Sequence, residues 1–174
     1  MNPTIYLRAL EPEDLELLYT IENAPDLWSV SNNDGPYSRF ALKQYIASQP
    51  ASIFECGMIR LIACLRESDK AIGIVDLIDY SALHQRAEVC VALLKEEQQR
   101  GYGKCILQEL EVWAIKKYNL RILYAYTMAD AEAAGKKLFA SMGYNEQGVM
   151  REWHYNGKTF ADIAIFQKIL QKSK

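Results

Sequence analysis

The sequence predicts a single α+β domain of mixed α/β type spanning residues 1–174. Half of the 174 positions are hydrophobic, enough for one core that buries roughly two-thirds of the surface of the unfolded chain. Runs with a helical period alternate along the chain with runs of period two, instead of separating into an all-helical and an all-strand half. No repeat, linker or low-complexity tract interrupts them.

In order, "TIYLRAL" alternates apolar and polar residues as a short strand does. "EPEDLELLYTIENA" follows as an amphipathic helix: Pro12 suits the first turn, the acids there meet the positive end of the dipole, and Leu15, Leu18 and Tyr19 recur at helical spacing. "PDLWSVSNNDGPY" is polar and turn-rich apart from Trp28, so a mobile loop is expected before a second helix, "SRFALKQYIASQ". From Ser52 come three β-rich runs, "SIFECGMIRLIACLRE", "KAIGIVDLIDY" and "RAEVCVALL", with a turn at Ser68–Lys70 and a polar connection at Ser81–Gln85. They predict a meander. In the next helix Tyr102, Ile106, Leu110 and Trp113 form an apolar stripe suited to covering a sheet. A strand "LRILYAYTM", a short helix "DAEAAGKKLFASM" and two strands, "GVMREWHY" and "TFADIAIFQKIL", complete the chain, with Asn156–Gly157 as the hairpin signal.

The net charge of −2 supplies no basic field for phosphate backbones, so nucleic-acid binding is not expected. "MNPTIYLRALEPED" has no charged-then-apolar leader and no apolar run nears the roughly 18 residues of a membrane span, so the expectation is a soluble, cytoplasmic protein. Cys56, Cys64, Cys90 and Cys105 lack the paired spacing of a zinc site and read as small buried hydrophobes, with no metal implied.

The segment "LLKEEQQRGYGKC" ends a strand and opens a helix. Its free backbone N–H groups and dipole make an anion site. Gly101 and Gly103 would let a phosphate approach the backbone, while Arg100 and Lys104 add positive charge. The spacing fits neither a P-loop nor the Gly-x-Gly-x-x-Gly fingerprint, which speaks against ATP and NAD. A tight loop with no ligand is the alternative.

Gln98-Gln99-Arg100-Gly101-Tyr102-Gly103 resembles the Gln/Arg-x-x-Gly-x-Gly/Ala pyrophosphate loop of the GNAT superfamily of acyl-CoA-dependent N-acetyltransferases, in the position that family gives it. "HQRAEVCVALL", "LFASMGY" and "REWHYNGKTFADIAIFQ" are similar to the spermidine and diamine enzymes and to the ribosomal-protein acetyltransferases. The resemblance implies a three-layer α/β/α domain whose central, mostly antiparallel sheet is splayed. It also implies acetyl-CoA as cosubstrate. The pyrophosphate would sit on Gln98, Gln99, Arg100, Gly101, Tyr102, Gly103 and Lys104, and the pantetheine arm along Val91, Ala92 and Leu93. Glu132 stands where an asparagine contact is frequent, and Gly135 where a small serine is.

An acceptor amine with a pKa near 10.4 is neutral in only about one molecule in a few thousand at pH 7, and deprotonation costs roughly 4–5 kcal/mol. The resemblance implies Glu88 as the base, with a surface or Arg86-paired glutamate as the alternative. A backbone N–H near Val91 would stabilise the acyl oxygen. The tyrosine that protonates the leaving thiolate in many such enzymes is Phe139 here; Tyr144 is assigned that role, with Tyr126, Tyr102 or water as alternatives. Glu22, Asp34, Asp79 and His84 are the expected amine-site residues. The expected acceptor is a polyamine or other small amine; a protein amine and a non-catalytic acyl-CoA-binding module are alternatives. Trp153, Tyr155 and Phe160 suggest a homo-oligomer face, with a hairpin packed on its own domain as the alternative.

Overall fold

The computed structural model describes residues 5–24, 36–50 and 52–171. Strands β1 (Ile5–Ala9), β2 (Ile59–Leu65), β3 (Ala71–Ser81), β4 (Arg86–Leu93), β5 (Ile122–Met128), β6 (Asn145–Tyr155) and β7 (Phe160–Ile169) form one sheet in the order β1-β2-β3-β4-β5-β7-β6. Every pairing is antiparallel except β4 with β5. Those two are parallel because the helix between them carries the chain back across the sheet. The helices are α1 (Leu15–Glu22), α2 (Arg39–Ala47), the single turn α3 (Ile53–Cys56), α4 (Tyr102–Lys116) and α5 (Ala134–Ser141). The expected mixed α/β architecture with a mostly antiparallel sheet is therefore the one observed. The Trp28 loop and Asp34 lie outside the described residues.

Each face of the sheet has its own core. On one, Ala87 and Val89 of β4 and Leu123 and Ala125 of β5 meet Ile106, Leu107, Leu110 and Ala114 of α4. On the other, Ile62, Cys64 and Ile74 receive Ile21 of α1. A fully buried Leu or Ile contributes about 1.5–3 kcal/mol, so α4 is fixed chiefly by this stripe. Tyr102 and Trp113 of the predicted stripe sit at its margin, partly buried. β3 is almost continuously buried because layers cover it on both sides.

Two expectations need correction. The run from Ser52 does not begin as a strand: Ser52 Oγ accepts from the Phe54 N–H at 3.2 Å, and Gly57, at φ 74°, closes the turn with its N–H on the Ile53 carbonyl at 2.9 Å. Local capping thus overrides the β propensity of Ile53 and Phe54. Cys64 is buried and Cys105 half-buried, but Cys56 and Cys90 are exposed, so the four cysteines are not all core residues. The β6–β7 hairpin does form at Asn156–Gly157, as a loop over 156–159 in which Asn156 Oδ1 accepts from the N–H groups of Lys158 (3.0 Å) and Thr159 (2.9 Å). No helix among the described residues is long and apolar enough to cross a membrane, and among them no cluster of metal-ligating side chains occurs.

Candidate active site

β4 and β5 pair at only three positions, Arg86↔Ile122, Ala87↔Leu123 and Glu88↔Tyr124. Past Glu88 each strand follows its other neighbour: β4 stays on β3 through Val91↔Val75 and Leu93↔Gly73, and β5 stays on β7 through Tyr126↔Ile165 and Met128↔Ile163. The sheet opens there as a wedge. Because the strands are parallel, their C-terminal ends lie on the same side, and α4 and α5 both begin at the wide end. Val91, Ala92 and Leu93 run along one edge of the wedge, without β5 as partner.

The loop into α4 is built for close backbone approach. Gln99 and Gly101 are left-handed, at φ 58° and 83°, and a side chain at Gly101 would meet nothing within 4 Å. No described side chain caps α4, which leaves first-turn N–H groups directed at the mouth. Gln98 Nε2 donates to the Leu93 carbonyl at 3.1 Å, tying the loop to the wedge edge. Gly103 differs from its expected role: a Cβ there would point at Leu138 of α5, 3.2 Å from Cδ2. Glu97 was invisible to sequence reasoning beside the similar Glu96. Its carboxylate is buried and takes Lys70 Nζ at 2.6 Å and Arg100 Nη1 at 2.7 Å. The Lys70 ammonium, with Arg100 assisting, holds it below the usual carboxylate range. Arg100 is thus oriented by Glu97, and Lys70 adds a cation from the β2–β3 turn.

Glu88 sits at the apex of the wedge on the face away from α4. It is half-buried, and desolvation pushes its pKa up, with nearby Asp79 adding to the rise. Cys90 Sγ donates to Glu88 Oε1 at 3.5 Å. Asp79 accepts from the Tyr124 hydroxyl and lies 3.5 Å from Arg86 Nη1. Glu88, Asp79, Arg86 and Tyr124 therefore form one cluster. His84 is exposed in the preceding turn. The Glu22 carboxylate lies 2.5 Å from Arg60 Nη1, and Arg60 also holds Asp76, which stands opposite Cys90 of β4, at 2.6 Å. Arg60 thus balances the charge that Glu22 would offer an amine.

Tyr144 belongs to the core on the α4 face, opposite Glu88. Its ring packs edge-on against Phe139 at 5.2 Å, and its buried hydroxyl has no hydrogen-bond partner among the described residues. Burial raises its pKa, with Glu111 contributing. The structure does not bring it to Glu88. Glu132 is exposed ahead of α5, paired with Lys137 at 2.5 Å. Gly135 is small for a packing reason, since a Cβ there would fall 2.4 Å from Thr127 Oγ1.

A splayed β4–β5 pair leading to an uncapped, cation-flanked helix N-terminus defines an acyl-CoA-binding transferase architecture. The chain belongs to the GNAT acetyltransferase family: the family described as "Acetyltransferase (GNAT) domain" matches residues 4–145. It is accordingly an N-acetyltransferase with acetyl-CoA as its cosubstrate, as the sequence resemblance implied. It is similar to the spermidine N(1)-acetyltransferase of Vibrio cholerae serotype O1, at 24% identity over 160 residues, 91% of this chain and 89% of that protein. The uncharacterized N-acetyltransferase YoaA of Bacillus subtilis is 23% identical over 101 residues, 58% of this chain and 56% of that protein. Among solved structures, that of spermidine N-acetyltransferase from Vibrio cholerae in complex with CoA and spermine superposes with a TM-score of 0.85 at 21% identity, covering 97% of each chain. A dodecameric structure of the Vibrio cholerae enzyme gives 0.78 at 21% identity, covering 97% of this chain and 95% of that one.

Proposed function

We propose that this protein transfers the acetyl group of acetyl-CoA to a small primary amine by direct attack, with Glu88 as the base. The observation that carries the reading is the opening of the sheet at Glu88, where a carboxylate stands at the apex of the wedge. Acetyl-CoA supplies an activated thioester. Val91 to Leu93 would present backbone groups to its pantetheine arm, and the Val91 N–H would stabilise the acyl oxygen as it gains charge. The Gln98–Lys104 loop and the α4 N-terminus bind the pyrophosphate, aided by Lys70 and Arg100. Glu88, its pKa raised by burial, takes the ammonium proton before the nitrogen attacks. The nitrogen sheds its excess proton as the C–S bond breaks, and coenzyme A leaves as the thiolate of a thiol with a pKa near 8.5, which takes its proton from water. Without a dedicated acid that step costs on the order of 2 kcal/mol at neutral pH, so Phe139 does not disqualify the enzyme.

The names of the Vibrio cholerae relatives make polyamines the first small amines to test. Self-association through the β6–β7 hairpin, which exposes Trp153, Tyr155 and Phe160, belongs to the same reading. Thiol release should require both acetyl-CoA and an amine. Glu88→Gln is expected to lower kcat/KM by about a hundredfold at neutral pH and to recover partly at higher pH, where more amine is already neutral. A uniform loss at every pH points to binding or folding, and absence of release with every amine and peptide refutes the transferase reading.

A further inference from the structure

Beyond Glu88, on the same face, the described residues leave the sheet uncovered, and it holds a pocket of about 280 Å³. Arg86, Tyr124, Tyr126, Ile165 and Gln167 line it. Arg86 and Glu88 are two residues apart on β4, so their side chains emerge on one face with Cα atoms roughly 6.6 Å apart. Tyr124 stands opposite Glu88, and Ile122, also in the lining, stands opposite Arg86. An acceptor whose nitrogen lies at Glu88 therefore extends into this pocket.

The pocket's charge is unexpected for a polycation. Of its lining residues Arg86 alone is charged, and none is a carboxylate. Glu22 and Asp76 are turned to Arg60. Asp79 faces the Tyr124 hydroxyl and Arg86. A second ammonium in the pocket would meet the Arg86 guanidinium, and the Asp79 carboxylate beside it already accepts from the Tyr124 hydroxyl. The Arg86–Asp79 pair is loose at 3.5 Å, with the Arg86 side chain 42% exposed, so the five-donor guanidinium keeps donors for another anion. The tyrosine rings and Ile165 offer an apolar wall.

We infer that the acceptor is a monoamine bearing a carboxylate a few bonds from its nitrogen and an apolar or aromatic body, with Arg86 as the residue that selects it. The inference rests on the assignment of Glu88 to the acceptor end of the transfer site. Phenylalanine and phenethylamine share a body and differ by the carboxylate, and spermidine tests the polycation. In wild type, kcat/KM for phenylalanine should exceed that for phenethylamine by at least about tenfold, the effect of one charge-assisted hydrogen bond. Arg86→Gln should abolish that preference through KM with kcat retained, and Arg86→Glu should shift preference to spermidine. Melting curves establish that the variants fold. A wild-type preference for spermidine or phenethylamine, or a phenylalanine preference that survives Arg86→Gln, overturns the inference. If no amine releases thiol, the transfer reading fails by itself; calorimetry with phenylalanine and CoA then decides the pocket, since Arg86-dependent binding upholds it and absence of binding overturns it.

Discussion

Gly103→Ala separates two reasons for a glycine at the mouth of α4. The alanine Cβ would lie 3.2 and 3.3 Å from the two methyl carbons of Leu138, so the tip of a flexible side chain must yield by a few tenths of an ångström. Displacing it costs about 0.5–1.5 kcal/mol, while alanine is up to about 1 kcal/mol better than glycine in a helix. The net change stays within about 1 kcal/mol, or about 4 °C in Tm for a chain of this size. Because the new atom points at α5 and not at the mouth, coenzyme A should still bind. At a hundred times Kd the ligand stabilises by about 2.7 kcal/mol, a Tm rise of roughly 5–11 °C. The side chain of Gly103→Glu must pass Leu138 to reach space, and it brings negative charge to the helix N-terminus, so that rise should vanish. Thermal melts of the three proteins with and without coenzyme A form the assay. A folded Gly103→Ala protein without the ligand shift would refute the packing argument, and a full shift in Gly103→Glu would refute the phosphate site.

Arg60→Met removes the cation that Glu22 and Asp76 share, which should cost about 3–5 kcal/mol; urea melts measure the deficit, and a change below 1 kcal/mol would show that the triad matters little. Tyr144→Phe removes a buried hydroxyl that has no hydrogen-bond partner among the described residues, so stability should rise by about 1 kcal/mol with thiol release unchanged; lost turnover with coenzyme A binding intact would instead make Tyr144 the acid. Glu97→Gln should raise KM for acetyl-CoA with kcat retained, because Lys70 and Arg100 lose their anchor. Since the Glu97 pKa is held low in the folded state, the wild-type stability advantage over Glu97→Gln should be complete above the unfolded carboxylate pKa of about 4.3 and shrink as pH falls through the folded value; a constant difference across that window in pH-dependent melts would contradict the ion-pair account.

Element order, the anion-binding junction and the hairpin were legible in the sequence because each rests on local chemistry. Apolar period, left-handed glycines and the Asn-Gly turn act over a few residues. The one-turn helix at Ile53–Cys56 escaped because a serine cap and a glycine stop outweighed β-prone residues between them. Glu88 could be singled out as a carboxylate among apolar neighbours, but tertiary structure alone decided that β4 leaves β5 at that residue, since the divergence is set by which partner each strand keeps. It alone decided, too, which charges remain available. Arg60 reaches Glu22 across 38 positions and Asp76 across 16, and Lys70 reaches Glu97 across 27. A period of two tells which face of a strand a residue occupies. It does not tell which charge from a distant element stands beside it: packing pairs Glu22, at the end of α1, with Arg60 and leaves Glu88 at the apex where β4 and β5 part.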